Sequence, residues 1–198
     1  MMTIQFALRG THPMLQHNGR LANPIDPLTR QVKAIADKRK KTVDDYQRLL
    51  ALEAYAGCWL TADDEIGLPT ANVWKAISEA AKMSKRGKDV ARALSFHPED
   101  VPPVRVQGDA LAARTHIEQA SGAGLLIRTV VVNQRRTLRA RAVVPTGWES
   151  SHRFTLLDDV LDPDQLAPMV STAGRLIGVG DWRPVYGKFE VTAVTTSV

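Results

Sequence analysis

The stretch AGRLIGVGDWRPVYGKFEV, from Ala173 to Val191, decides how the chain is read. It begins as the last turn of a helix, passes through Gly178, Gly180 and Gly187, and ends in the alternation Lys188-Phe189-Glu190-Val191 of a strand. Glycine loses more freedom on folding than other residues, so it marks a positive φ or a close backbone approach. A loop built this way holds Asp181, Trp182, Arg183 and Tyr186 beside exposed backbone, and its successive N–H groups can line an anion-binding concavity. A turn that only seats Trp182 on the core is the other reading these residues allow.

Working back from this loop, Asp162 caps a helix with Pro163 at its first position, and Leu166, Met169, Val170 and Ala173 form the buried stripe. Before it, LLIRTVVV (Leu125–Val132) and LRARAVV (Leu138–Val144) flank the turn from Asn133 to Thr137 as a hairpin. Arg139, Arg141 and Val143 alternate there against Leu138, Ala140, Ala142 and Val144. The strand His152–Leu157 is expected to join the same sheet. At the other end, Ile4, Phe6 and Leu8 alternate with Thr3, Gln5 and Ala7 as a first strand, and the Pro- and Gly-rich segment from Thr11 to Pro27 reads as a long irregular loop.

Between these parts lies a helical, basic middle. Leu28–Ala36 suits a helix, Thr42 caps a second one that stops at Gly57, and Pro69 opens a third with Val73, Trp74, Ile77, Ala80 and Ala81 at helical spacing. Asp89–Leu94 is a fourth, and short strands follow at Leu94–Phe96 and Val104–Val106. The order predicts one α+β domain over 1–198, with 28–94 as a helical insertion and an antiparallel sheet covered by helices on one side.

The 198 residues are 44% hydrophobic and 24% charged, the composition of a globular protein with one good core. The net charge of +5 permits a polyanionic partner without requiring one. A single cysteine, Cys58, excludes an internal disulfide and points to an intracellular, cytoplasmic protein. No apolar run reaches membrane-spanning length, the first residues do not read as a signal peptide, and no cofactor motif is present.

The first strand, the late helix and Ile177, Gly178, Gly180 and Gly187 before a final strand resemble the RAMP superfamily, the repeat-associated proteins of CRISPR systems. That resemblance implies a ferredoxin-like, RRM-type fold, and the insertion is similar to those of backbone subunits that polymerise along guide RNA. It further implies non-catalytic binding of single-stranded nucleic acid, with RNA favoured, by a self-associating and filament-forming protein with other subunits of a defence complex as partners. Phage and mobile-element proteins have similar endings. A structural or inhibitor protein acting through protein–protein assembly is therefore the alternative.

The residues expected to hold nucleic acid are the hairpin arginines Arg135, Arg136, Arg139 and Arg141, with Arg128 on the facing strand and Arg183 in the loop. The basic joints add Lys38, Arg39, Lys40 and Lys41, and Lys85, Arg86 and Lys88. Arginine suits phosphate because its planar fork donates in pairs, and alternate strand residues stand about 6–7 Å apart on one face. Trp182 and Tyr186 are the stacking candidates, and Gly178, Gly180 and Gly187 shape the loop. His12 or His17 could serve as a general base in a metal-independent RNase, a weaker alternative; no metal site or catalytic residue is assigned. Asp63, Asp64 and Glu65 could face a neighbouring subunit's basic joint.

Overall fold

A computed structural model describes residues 1–119, 124–132 and 134–197. The strands are β1 (Met2–Gly10), β2 (Met14–Leu15), β3 (Leu94–Ser95), β4 (Arg105–Val106), β5 (Asp109–Ala110), β6 (Leu125–Val132), β7 (Arg135–Val144), β8 (Trp148–Leu156) and β9 (Phe189–Ser197). The helices are α1 (Pro27–Ala36), α2 (Val43–Ala56), α3 (Thr70–Met83), α4 (Gly87–Ala93), α5 (Ala113–Gln119) and α6 (Pro163–Thr172). A 3-10 turn at Gly19–Ala22 and a π turn at Ala173–Ile177 complete the set.

β1 is central to the first sheet because its alternation gives one fully apolar face: Ile4, Phe6 and Leu8 are buried. β8 lies antiparallel to it with Ile4 opposite Phe154, Phe6 opposite His152 and Leu8 opposite Ser150. Directly paired residues share a face, so the buried sides of both strands meet one helical layer. β9 takes the other edge of β1, while β4 and β3 share the far edge of β8, giving the antiparallel order β5-β4-β8-β1-β9 with β3 beside β8. α3 packs against α6, the π turn and β8 on the inward side.

The single covered sheet expected from the sequence is in fact two. The hairpin β6–β7 does not join β8; it pairs with β2 in the order β2-β7-β6, with Met14 opposite Val144 and Leu15 opposite Val143. β8 instead starts at Trp148, and its inward residues Trp148, Ser150, His152, Phe154 and Leu156 are committed to the β1 layer. α2 packs on β7, where Ala140 and Ala142 lie buried in the same core cluster as Ala54. Small side chains on both elements allow that close approach. Four segments read as helices are helices, but they serve different layers: α1 and α2 go with the hairpin, α3 and α4 with the first sheet.

Smaller differences have local causes. Gly57 ends α2 with φ −78, an ordinary right-handed conformation and not a left-handed cap. After α2, Leu60 forms a one-residue antiparallel bridge with Ile66. Trp74 is half-buried, with its indole N–H donating to the Leu94 carbonyl at 2.8 Å. No helix among the described residues is long and apolar enough to cross a membrane.

Candidate nucleic-acid interface

The glycine loop is a packing device before it is a binding one. Gly178, Gly180 and Gly187 have φ of +76, +79 and +73, and a Cβ on Gly187 would run into the Val179 carbonyl. The N–H groups expected to form an anion cradle are used inside the fold. Gly178 donates to Ala173 at 2.8 Å, Val179 to the Gly187 carbonyl at 2.9 Å, Asp181 to Leu15 at 2.9 Å and Gly187 to Pro13 at 2.8 Å. The Trp182 N–H donates to the Asp181 side chain at 3.0 Å. The loop therefore clamps the segment around β2, and these donors are not offered to a phosphate. Trp182 is 46% exposed and Tyr186 half-buried, their rings 6.3 Å apart, so two aromatic faces do remain at the surface.

The hairpin arginines are organised by a residue that the sequence reading passed over. β2 covers only the end of β7, and the last backbone bond on that edge runs from Gln16 N–H to the Ala142 carbonyl at 3.0 Å. One step on, the Ala140 N–H has no strand partner there and donates to Glu53 Oε2 at 3.3 Å. Glu53, in the last turn of α2, is only 4% exposed. Its other oxygen lies 3.3 Å from the Arg139 guanidinium and 4.0 Å from that of Arg141. Burial raises the Glu53 pKa, and Arg139, the Ala140 N–H and Arg141 act against that rise. Arg141 in turn donates to Asp181 at 3.0 Å and to the Ala140 carbonyl at 3.0 Å, which ties the hairpin to the glycine loop. The signal for Glu53 was a lone acid inside the apolar run from Leu49 to Ala56.

Arg139 and Arg141 share a face with the β6 residues opposite them, Arg128 and Leu126. Arg128 is exposed, so two arginines stand directly across from one another. Beside them opens a cavity of about 540 Å³ between α1, the 3-10 turn and β7, lined by His17, Leu21, Val32, Lys33, Ala36 and Glu53 among others. Burial and the nearby Arg141 and Arg139 lower the His17 pKa, with Asp181 opposing them. Ala36 at this rim is followed by the exposed run Lys38-Arg39-Lys40, so the first basic joint and the hairpin arginines belong to one region. Lys38 pairs with Asp45, and Lys41 donates to the Lys38 carbonyl at 2.8 Å.

The second basic joint lies elsewhere. Arg86 pairs with Asp89 and donates to Gln165 of α6 at 3.1 Å, which places Lys85 and Lys88 beside the helical layer of the first sheet. Arg183 pairs with Glu79 of α3 at 3.3 Å. Arg136 is exposed; the side chain of Arg135 and the whole of Asn133 lie outside the described residues.

The structure separates the two first-loop histidines. His12 is exposed, its Nδ1 3.2 Å from Thr11 Oγ1, whereas His17 lines the cavity. Asp26, next along this segment, caps α1 by accepting from Leu28 and Thr29 and lies 3.8 Å from Arg20. Among the described residues no group of three His, Cys, Asp or Glu side chains is placed to hold a metal ion. In the acidic turn, Asp64 accepts from Tyr55 and pairs with Arg114 at 3.5 Å, both within the chain. Comparison with protein-family models and with curated proteins finds no match for this chain.

Proposed function

We propose that the protein binds single-stranded nucleic acid, RNA in preference, without cleaving it and as a repeated subunit. The observation that carries this reading is the opposed pair Arg128 and Arg139 beside Arg141 and the Lys38–Lys41 joint. Like charges directly across a strand pair destabilise the pair, and the two carboxylates Glu53 and Asp181, which pair with Arg139 and Arg141, answer only part of the positive charge that Arg128, these arginines and the joint bring together. A polyanionic backbone laid along this face supplies the missing countercharge, with bidentate contacts suited to arginine. The strand order of the first sheet, in which β9 and β8 flank β1 and short strands lie beyond β8, supports a ferredoxin-like assignment and hence the RAMP resemblance. The outward positions of β1 and β8 (Thr3, Gln5, Ala7, Arg9, Glu149, Ser151, Arg153 and Thr155) carry no aromatic ring. Base stacking on that sheet, as in an RRM, is therefore not part of the proposal.

A second reading, protein–protein assembly as a phage or mobile-element component, is favoured by β9. It is the outer strand of its sheet, exposed along nearly its whole length and free of Lys, Arg and Pro, the residues that usually guard an edge.

The test is whether the purified protein carries nucleic acid. Absorbance ratio and mass by size exclusion at low and high salt should reveal a salt-sensitive assembly containing nuclease-protected oligonucleotide. A nucleic-acid-free assembly that ignores added single strands would overturn the binding reading and favour assembly through β9.

A further inference from the structure

The geometry points to the cavity between α1 and β7 as the seat of one nucleotide of the bound strand, its phosphate on Arg139 and its base against the aliphatic wall of α1. This inference rests on the nucleic-acid reading and sharpens it. The cavity's volume of about 540 Å³ falls within the range of small-ligand sites. Its two sides differ in chemistry. The wall of α1 and the 3-10 turn brings Leu21, Ala22, Val32 and Ala36, with Lys33 on the same helix; β7 brings Arg139 and Arg141, and His17 and Asn18 also line the cavity.

The two arginines have different parts. Arg141 is held at two points, its Nε on Asp181 and one terminal nitrogen on the Ala140 carbonyl, with Glu53 4.0 Å from that same nitrogen. It is a positioning residue that locks the loop to the strand. Arg139 makes one ion pair among the described residues, at 3.3 Å, its side chain is 40% exposed and it lines the cavity, which leaves it donors for a ligand. Lys33 stands in the last turn of α1 on the same cavity. Glu53 and Asp181 offset two of the three cations Arg139, Arg141 and Lys33 and fix the arginines in place, so an incoming phosphate meets a site that is still positive. With a pKa below that of a free imidazole, His17 is uncharged near pH 7 and can report the ligand, because a phosphate beside it stabilises the protonated ring.

The experiment uses the full chain and three probes: a nucleoside 5′-monophosphate, the same nucleoside without phosphate, and a single-stranded oligonucleotide of about ten residues. Binding of the monophosphate should shift the His17 ring resonances and raise its titration midpoint, and the bare nucleoside should do so far less. Two variants accompany the wild type. Arg139→Gln removes the phosphate contact, and Ala36→Trp, at an exposed position on the rim, fills the cavity without touching Glu53. Each should weaken the oligonucleotide about tenfold, with Ala36→Trp retaining the wild-type melting temperature. If the oligonucleotide binds and Ala36→Trp leaves its affinity unchanged, the pocket is refuted while the general reading stands. If no oligonucleotide binds but the monophosphate shifts His17, the pocket survives and the strand-binding reading fails. If no oligonucleotide binds and the monophosphate leaves His17 unchanged, both fall.

Discussion

Gly187 shows how little freedom the glycine loop has. The chain turns there at φ +73, and an added Cβ would collide with the backbone of Val179, which cannot swing aside. Gly187→Ala should cost about 3 kcal/mol or more, strain and clash together. At Gly19 nothing lies within 4 Å of the Cβ position, so Gly19→Ala should be neutral or slightly stabilising. Urea denaturation of the pair checks this, and equal effects would contradict the clamp described above. His152 makes a second residue-scale case. Thr70 donates its hydroxyl to Asp100 at 2.6 Å, so the 2.9 Å contact with His152 requires His152 Nδ1 to be the protonated donor. Nε2 is then bare, buried and without a partner among the described residues. Burial pushes the His152 pKa down to about 3. The folded value lies below the unfolded one of about 6.5, so the unfolded chain binds the extra proton at intermediate pH. Stability from this group is complete above the unfolded pKa and is lost as pH falls from about 6.5 toward 3, at about 1.4 kcal/mol per pH unit. Denaturation of wild type and His152→Leu at pH 7 and pH 5 isolates it: the wild type should lose more between the two, and parallel losses would refute the assignment.

Elements whose signals are local were legible, and those defined by distant partners were not. Thr42 and Asp45 form a reciprocal capping box, with Asp45 N–H to Thr42 Oγ1 at 3.2 Å and Thr42 N–H to Asp45 Oδ2 at 3.1 Å. Removing one hydroxyl by Thr42→Ala should cost about 1 kcal/mol, seen as a lower urea midpoint with an unchanged slope. Asp162 with Pro163 was legible for the same reason, since a cap and its helix lie within four residues. The hairpin could be read from its alternation, but its sheet could not. That choice depends on Met14 and Leu15, two apolar residues in a segment otherwise marked as loop by Pro13, Gly19 and Pro24. The arginines were found by their alternation on the hairpin, whereas their partners Glu53 and Asp181 come from α2 and from the glycine loop, far off in sequence. The glycines were correctly singled out, but their use was internal. Two of the loop's N–H groups go to the distant carbonyls of Pro13 and Leu15, which no pattern predicts.

At the scale of the whole molecule the question is which basic surface a strand would follow. A net charge of +5 on 198 residues is too diffuse to hold a polyanion by its overall field, so affinity must come from local density. The chain has two dense regions on different layers. The Lys38–Lys41 joint adjoins the hairpin arginines through α1, whereas Lys85 and Lys88 accompany α4, whose Arg86 is turned onto Asp89 and Gln165. The first combines closely opposed arginines with a cavity. For a single strand, each phosphate contact contributes about 0.7 to the slope of log affinity against log salt. Lys40→Gln with Arg128→Gln, which lies opposite Arg139 on the same face, should therefore flatten that slope by about 1.4 in total if each residue meets one phosphate, and Lys85→Gln with Lys88→Gln should leave it unchanged. Fluorescence anisotropy of a labelled oligonucleotide over a salt series gives both slopes. Equal flattening by both pairs would mean that the strand crosses from the second sheet to the helical layer of the first, and the hairpin face alone would no longer account for the site. No flattening by the first pair would remove the hairpin face from the interface, because a phosphate contact cannot be lost without releasing fewer counterions.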